Sequence, residues 1–274
     1  MKKITKIFVY LFLSLAAFIS IFPFVWMIIS ATNPSVYVTG GRMTPGNHFM
    51  ENWRQMMQLT DFGRAFRNSV QISTVTTIFA LFISSLAGYG FEIYKSKARD
   101  VIFNILLGSM MIPFAALVVP MFRMFARITV TIPFFGINTP GAIILPSVAT
   151  AFLIFFFRQS TKMFPREILE AGRIDGLSEL SIFFKIFMPT MKTTYAAAGI
   201  ITFMASWNAF MWPLIVIQSP DQQTLPLLIS NLGAGFTPDF GVIMLAIVLA
   251  TIPVAVVFFV LQKHFVAGMM GSVK

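Results

Sequence analysis

Side chains that could carry out covalent or metal chemistry are scarce and far apart in this sequence. The 274 residues include no cysteine, which excludes a disulfide, a thiolate nucleophile and a sulfur metal site. The two histidines, His48 and His264, are too distant in sequence to suggest a metal cluster, and neither has an evident Ser or Asp partner. The Lys-Ser and Lys-Thr pairs at Lys95 and Lys192 lack the preceding glycine of a phosphate-binding loop. We therefore predict no catalytic residue, no metal site and no ATP hydrolysis in this chain.

The composition is that of an integral membrane protein. Apolar residues make up 57% of the chain, charged residues make up only 11%, and the mean hydropathy is +0.82. A soluble surface needs roughly a quarter of all residues to be charged, so most of this surface must face lipid. A soluble enzyme is excluded. The formal net charge of +10 does not indicate binding of nucleic acid, because the basic residues are scattered between long uncharged runs.

Six charge-free runs are long enough to cross a bilayer, which takes about 20 apolar residues in a helix. They are Ile7 to Ser30, Asn68 to Phe91, Val101 to Phe122, about Pro140 to Phe157, about Thr194 to Ile217, and Phe240 to Leu261. The first run is too long for a signal peptide and lacks a small-residue cleavage site, so we predict that it stays in the membrane. The spans contain no ionisable residue, which disfavours an ion-coupled channel or secondary transporter. Prolines at positions 113, 120, 146, 213 and 253 predict kinked helices. The predicted fold is all-α with six transmembrane helices.

The distribution of Lys and Arg predicts the orientation of these spans. Of the 20 basic residues, fourteen fall on one side, among them Lys2, Lys185 and Lys274, and six fall on the other, among them Arg42 and Arg123. Positive residues accumulate in short cytoplasmic loops. Both termini are therefore predicted to be cytoplasmic, unless a five- or seven-span chain breaks the parity.

Two connections between the spans are long. Residues 31–65 are rich in turn-forming residues, contain a short helical candidate near Asn52 to Leu59, and form an extracellular loop by this count. Residues 158–193 form a cytoplasmic loop. There, Pro165 favours the start of a helix, Asp175-Gly176 favours a sharp turn and Ser178 can cap a second helix. Two short helices held in a partner's groove are one interpretation, and ordinary amphipathic helices at the membrane surface are the other.

The residues of the cytoplasmic loop resemble the signature of permease subunits in ATP-binding-cassette importers. That signature is Glu-Ala-Ala, three residues, Gly, nine residues, Ile, one residue, Leu-Pro. Here Glu170-Ala171-Gly172, Gly176, Ile186 and Met188-Pro189 occur at the same spacings, and five of the seven letters agree. The two departures, Gly172 and Met188, are conservative in size or polarity.

Further segments resemble the carbohydrate branch of that family, the branch of the smaller maltose-permease subunit. Asp175-Gly176 is similar to the pair usual in this branch. The other similar segments, in order, are Pro23 to Ser30, Asn68-Ser69, Met111 to Phe122, the FFFRQ before the loop, Ser206 to Leu214 and the C-terminal QKHFVAGMMGSVK. The resemblance thus covers nearly the whole chain.

The resemblance implies a machine of several subunits in a bacterial plasma membrane. In it, residues 1–274 form a single transmembrane permease domain that pairs with a second permease subunit. Two ATPase subunits bind ATP and Mg, an extracellular sugar-binding protein delivers the cargo, and this chain holds no cofactor. The residues implied to couple to the ATPases are Glu170, Ala171, Gly172, Asp175, Gly176, Ile186, Met188 and Pro189, and the tail of Gly271, Ser272, Val273 and Lys274 points toward them. A polyol, glycerol phosphate or peptide remains an alternative cargo.

Polar and aromatic side chains inside the spans are candidates for the translocation path. Trp207 and Asn208 lie in the fifth span and Trp212 follows about one turn later. An indole can stack on a sugar ring, and an amide can bond its hydroxyls. The alternatives are that Trp anchors the helix at the membrane interface and that Asn bonds to another helix.

Overall fold

The structure, a computed structural model, describes the backbone of residues 3–235 and 237–271 and the side chains of residues 5–235 and 237–262. Within these ranges the chain is helical and forms no strand. The helices are α1 (Lys3–Ala31), α2 (Ser35–Thr39), α3 (Phe49–Leu59), α4 (Phe62–Ile93), α5 (Lys97–Ser109), α6 (Phe114–Thr131), α7 (Pro140–Ile144), α8 (Ala151–Lys162), α9 (Arg166–Ile174), α10 (Glu179–Ile182), α11 (Met188–Thr190), α12 (Lys192–Trp207), α13 (Met211–Val216), α14 (Leu225–Gly233) and α15 (Phe240–Gly271).

Six stretches of this chain are long and apolar enough to cross a membrane, which confirms the predicted number. They are Thr5–Ala31, Phe62–Ile93, Phe114–Thr131, Pro140–Lys162, Lys192–Val216 and Phe240–Gln262. The side chains of α1 are mostly exposed, including large apolar ones such as Phe8 and Phe12, as expected of a helix whose surroundings are lipid.

The third span differs from the prediction. The continuous helix expected over Val101 to Phe122 is interrupted, because α5 ends at Ser109 and α6 begins at Phe114. Pro113 has no N–H to continue the helix, and its ring disfavours helical backbone in the residue before it. The apolar helix in this region is therefore α6, which extends nine residues beyond the predicted end.

This shift places two charges inside a membrane-span candidate. Arg123 and Arg127 lie within α6 and are exposed, and their spacing of four residues puts them on one face of the helix. The prediction that the spans contain no ionisable residue is therefore wrong. It followed from ending the third span at Phe122, before both arginines.

Two other spans are interrupted near their prolines. Between α7 and α8 the chain makes a 3-10 turn at Leu145–Ser147 and is irregular through Thr150. Between α12 and α13 it is irregular from Asn208 to Phe210. In contrast, Pro120 and Pro253 lie inside continuous helices. Irregular backbone at membrane depth is tolerated only where it is buried in protein or lines a polar cavity. Both interruptions are therefore candidate positions for a polar site.

The chain forms two compact units. One comprises residues up to Gly63 together with Leu227–Ile252. Its loop of residues 31–65 is held by Asn52 of α3, a buried residue whose amide donates to the carbonyl of Ala31 at 2.9 Å and to that of Asn33 at 3.0 Å. Gly241 at the start of α15 lies against the same carbonyl of Asn33, since a Cβ there would be 2.5 Å from its oxygen.

The other unit comprises Arg64–Pro226 and the chain from Pro253 onward. Its core joins α4, α8 and α12 through the buried side chains of Ala80, Leu153, Phe157 and Ala198. The approach of α4 to α8 is close at Gly88, where a Cβ would lie 2.7 Å from both the backbone nitrogen of Arg158 and the Cβ of Phe157. These three helices provide the frame for the sites described below.

Candidate functional site

The loop between α8 and α12 folds into two helices joined by a tight turn, as predicted. Helix α9 ends in a Schellman motif, in which the N–H of Gly176 bonds to the carbonyl of Arg173 at 3.1 Å and that of Leu177 bonds to the carbonyl of Gly172 at 3.0 Å. Gly176 has a φ of +77°, a left-handed conformation that costs other residues more than glycine. The Asp175-Gly176 turn inferred from sequence is therefore confirmed.

The second helix of the loop starts at its predicted cap and contains a π-helical turn. The hydroxyl of Ser178 accepts a hydrogen bond from the N–H of Ser181 at 3.3 Å, and α10 follows directly. The segment Phe183–Phe187 is π-helical and leads into α11, which contains Pro189. A proline removes one helical donor and crowds the carbonyl four residues earlier, and a π-turn is one way in which a helix accommodates such a defect.

The buried face of the loop packs on the end of α4. Tyr89, Phe164, Leu169, Ile182, Phe183 and Phe187 form one buried cluster. Gly172 contributes by its small size, because a Cβ there would lie 2.8 Å from Cδ1 of Ile186 and 3.3 Å from Cγ1 of Ile182. The missing side chain of Gly172 thus allows a close approach to the second helix of the same loop.

The signature residues divide between this interior and the outer surface. Gly172 is buried, and Ile186 and Met188 pack against the aromatic cluster. Exposed signature residues are Glu170, Ala171, Asp175, Gly176 and Pro189. Two apolar side chains of the loop lie beside them in solvent, Ile174 at 86% exposure and Leu180 at 63%. Exposed apolar groups of this size in an otherwise polar loop are typical of a surface that a partner covers.

A buried carboxylate that the sequence analysis did not single out connects the loop to α4. The side chain of Glu92, the penultimate residue of α4, is only 3% exposed and has three cations around it. Its oxygens lie 2.6 Å from Nζ of Lys95, 3.5 Å from Nε of Arg158 and 3.4 Å from Nη2 of Arg166. Arg166 is the first residue of α9, so this carboxylate ties one end of the first loop helix to a membrane span.

Arg158 extends this charged cluster to α5. Its Nη2 lies 2.7 Å from Oδ1 of Asp100, and its guanidinium carbon lies 4.0 Å from the centre of the Phe103 ring. A buried ion is tolerated only when its partners satisfy it well, and here one carboxylate is shared among several donors. The cluster therefore joins α4, α5, α8 and α9 at one end of their spans.

A second polar contact holds the other end of α9. Arg173 donates to Glu179 at 2.7 Å, and the hydroxyl of Tyr94, just after α4, donates to the same carboxylate at 2.5 Å. The hydrogen bonds from Arg173 and Tyr94 lower the pKa of Glu179. Desolvation, with the hydrogen bond to Glu179, raises the pKa of Tyr94 to about 12. Tyr94 is thus a neutral donor and Glu179 a carboxylate at neutral pH, and the contact weakens only as acid protonates Glu179 below its ordinary pKa.

These contacts make the loop and the end of α4 a single mechanical element. Helix α9 is attached to α4 at its first residue through Glu92 and near its last through Glu179 and Tyr94, with the aromatic cluster between. The loop is thus attached to α4 by side-chain contacts as well as to α8 and α12 by the chain itself.

The three proposed path residues occupy different environments. Trp207 is 3% exposed and stacks on Phe203 with ring centres 5.7 Å apart. Trp212 is 7% exposed, and its indole N–H donates to the carbonyl of Ala142 at 2.8 Å. Asn208 is exposed, and its amide donates to the carbonyl of Met204 in the preceding turn. Of the three, the structure leaves only Asn208 open to a ligand without rearrangement.

The predicted C-terminal tail is described only at its beginning. Gly271 is the last residue of α15. Ser272, Val273 and Lys274 lie outside the described residues.

The geometry defines a polytopic helical membrane subunit with a compact two-helix loop fastened to its spans. The chain belongs to the family of binding-protein-dependent transport system inner membrane components, whose model matches residues 80–271. It is accordingly a membrane transport subunit and not an enzyme.

Individual relatives cover nearly the whole chain. The lactose transport system permease protein LacG of Rhizobium radiobacter is 45% identical over 273 residues, which cover 100% of this chain and 98% of that protein. The arabinooligosaccharides transport system permease protein AraQ of Halalkalibacterium halodurans is 34% identical over 266 residues, covering 94% and 92%. Among solved structures, a bacterial ABC transporter that imports the acidic polysaccharide alginate matches with a TM-score of 0.82 at 20% identity, over 96% of this chain and 97% of that one. The predicted importer-permease fold is confirmed.

Removing the charge of Glu92 tests whether the buried cluster holds the loop in place. Glu92→Gln leaves three cations around a neutral side chain, and we expect a loss of about 1–3 kcal/mol in unfolding free energy together with faster tryptic cleavage at Arg166. The measurements are thermal unfolding and limited proteolysis of the purified protein. Glu51→Gln, which removes a solvent-exposed pair with Arg54, is the control and should change neither. Equal stability and equal cleavage in the two variants would contradict the role given to Glu92.

Proposed function

We propose that this chain is the transmembrane subunit of an ATP-driven importer for a sugar or oligosaccharide. It forms half of the translocation path, and a second permease subunit forms the other half. The observation that carries this proposal is the 45% identity to a lactose transport permease over the full length of the chain. A second sugar-transport relative, for arabinooligosaccharides, supports the same class of cargo. Asn208 lines the path in this proposal, with Trp207 and Trp212 packed behind it.

The loop of residues 158–193 is proposed to dock on the partner ATPases, which bind ATP and Mg. Its exposed surface combines a charge, Glu170, with a small residue, Ala171, and the apolar Ile174. Closure of the ATPases would press on this surface, and the contacts with Glu92 and Glu179 would transmit the movement to α4. Gly172, Ile186 and Met188 shape the loop from within and Pro189 lies on its surface, and the tail Gly271–Lys274 is proposed to act toward the same partners.

The proposed orientation places both termini and the docking loop in the bacterial cytoplasm. It rests on the excess of Lys and Arg on that side of the six spans. The loop of residues 31–65, built around Asn52, then faces outward, where an extracellular sugar-binding protein delivers the cargo. In this arrangement residues 1–274 act as one permease domain.

The orientation can be measured directly because the chain has no cysteine. Lys97→Cys and Met43→Cys introduce single thiols at exposed positions in the proposed cytoplasmic and outer connections. A membrane-impermeant maleimide should label Met43→Cys in intact cells and Lys97→Cys only in inverted vesicles. Labelling of both thiols from one side, or the reverse pattern, would contradict the six-span orientation.

The turn at Gly176 should be essential for coupling but not for membrane insertion. Gly176→Val places a β-branched residue at φ +77°, at a cost of about 1–2 kcal/mol, although no atom lies within 4 Å of the added Cβ. We expect normal amounts in the membrane, with loss either of co-purifying ATPase or of sugar-stimulated ATP hydrolysis. Gly41→Val is the matched control, since Gly41 has a φ of +71° with equally open surroundings in the outer loop. Wild-type coupling in Gly176→Val would contradict the docking role and favour the interpretation of the loop as a helix pair at the membrane surface.

Charge reversal on the exposed face of α9 tests the docking surface itself. Glu170 makes no ion pair within the part of the chain that the structure describes, so Glu170→Lys should leave the fold intact. It should weaken ATPase recruitment roughly tenfold, since an unfavourable charge is introduced at an interface. Recruitment is measured by co-purification at increasing ATPase concentration, with Glu51→Lys in the outer loop as the control. Equal recruitment by both variants would place the ATPase contact elsewhere.

A further inference from the structure

A small cavity lies among three of the membrane-span candidates, apart from the docking loop. It has a volume of about 160 Å³ and is bounded by residues of α4, α12 and the interrupted α7–α8 span. Five hydroxyl side chains line it, those of Thr76, Ser147, Thr150, Thr202 and Ser206. Such a concentration of hydroxyl groups is unusual in a helix bundle whose surroundings are lipid, where polar groups need a partner.

Three of these hydroxyl groups lack a partner in the described part of the chain. Thr76 is 1% exposed, and its buried Oγ1 makes no hydrogen bond. Thr202 and Ser206, on the opposite wall, are partly buried and also make no side-chain hydrogen bond there. The neighbouring Thr77, outside the cavity, bonds to the carbonyl of Ser73 at 2.7 Å, which is the ordinary solution for a threonine in a membrane helix. The Oγ1 atom of Thr76 has almost no accessible surface, so an occupant of the cavity does not reach it, whereas Thr202 and Ser206 are partly exposed and can offer their hydroxyl groups to a polar occupant.

The two interruptions of helical backbone meet at this cavity. The interruption before α8 contributes Ser147 and Thr150. The end of α12 contributes Ser206, and the irregular segment after it contributes Ala209. The N-terminus of α8, capped by Thr150, also opens there, and its unpaired N–H groups and dipole favour oxygen atoms of a ligand. Broken membrane helices around a polar cavity are typical of substrate sites in transporters.

The mouth of the cavity offers an apolar surface beside these polar groups. Phe152 is 45% exposed and Ile201 is 39% exposed, and both belong to the lining. An exposed aromatic ring can cover the C–H face of a sugar while the hydroxyl groups bond its rim. At about 160 Å³ the cavity is close to the size that holds a benzene ring, so it can take the edge of a sugar unit with its hydroxyl groups but does not enclose a whole hexose.

We propose that this cavity is a subsite that binds the edge of one sugar ring of the cargo, with Thr202 and Ser206 as hydrogen-bonding partners and Phe152 as the stacking surface. The inference rests on the proposed function as a sugar importer. It places a sugar contact on this subunit, at positions that differ from the packed indoles of Trp207 and Trp212.

Conservative removal of the hydroxyl groups tests the subsite in the assembled transporter. Thr202→Val and Ser206→Ala should each lower uptake of radiolabelled lactose at subsaturating concentration about two- to tenfold, because each removes one hydrogen bond to the ligand. Their assembly with the ATPases should be unchanged. Thr77→Val is the matched control and should transport as wild type does. The measurement uses reconstituted complexes with the binding protein, and other di- and trisaccharides are tested in parallel.

Filling and labelling the cavity provide a second measurement that does not depend on a single hydrogen bond. Ala205→Phe places a ring in the cavity from an exposed position and should abolish uptake, whereas Met204→Phe, exposed but outside the lining, should not. In the cysteine-free chain, the transported sugar should slow modification of Ser206→Cys by a small thiol reagent and leave Met204→Cys unaffected.

The outcomes separate the two proposals. If wild-type complexes import no sugar, both the proposed function and the subsite are wrong. If they import sugar and the Thr202, Ser206 and Ala205 variants match their controls, with no protection of Ser206→Cys, the importer proposal stands and the subsite is overturned.

Discussion

Hydrocarbon offers no hydrogen-bond partner to a peptide group, and this constraint underlies every level of the structure. It requires the chain to satisfy its own backbone, which it does with helices throughout the described residues. The same constraint applies where a membrane helix is interrupted, because the free backbone groups there must be enclosed by protein or must line a polar cavity. The interruptions after α7 and after α12 meet at one hydroxyl-lined cavity, which is where such a constraint predicts that polar groups should gather.

At the end of α4, ion pairs hold neighbouring helices together. Glu92 is buried at the end of α4 among cations from its own helix end, from α8 and from α9. One carboxylate thus joins a membrane span to Arg166, the first residue of α9. Glu179 and Tyr94 repeat the arrangement near the other end of α9. A loop held at both ends in this way moves with the helix that holds it, which is the property that a coupling element needs.

The loop signature carries two different physical demands. Gly172 satisfies the first, since its missing side chain lets the two loop helices approach to contact distance. Gly176 satisfies a local conformational demand, the left-handed turn that reverses the chain. Glu170 and Ala171 meet neither demand, because both are exposed on the surface of the loop. The motif is one unit in the sequence, but in the structure some of its residues determine the fold of the loop and others form its exposed surface.

Local interactions explain what could be predicted from sequence alone. The number of spans, the turn at Gly176 and the cap at Ser178 depend on residues within one or two helical turns, so composition and spacing were enough. The helix break at Pro113 also has a local cause, but the apolar run continues across it, so hydropathy alone did not reveal it. The third span was therefore ended at Phe122, before Arg123 and Arg127, although both arginines lie in α6. Only the tertiary structure brought together residues distant in the chain. Glu92 finds its loop cations 66 and 74 positions away, and Thr150 and Ser206 line the same cavity. The packing of whole helices, and not the neighbouring sequence, decides which of these side chains meet.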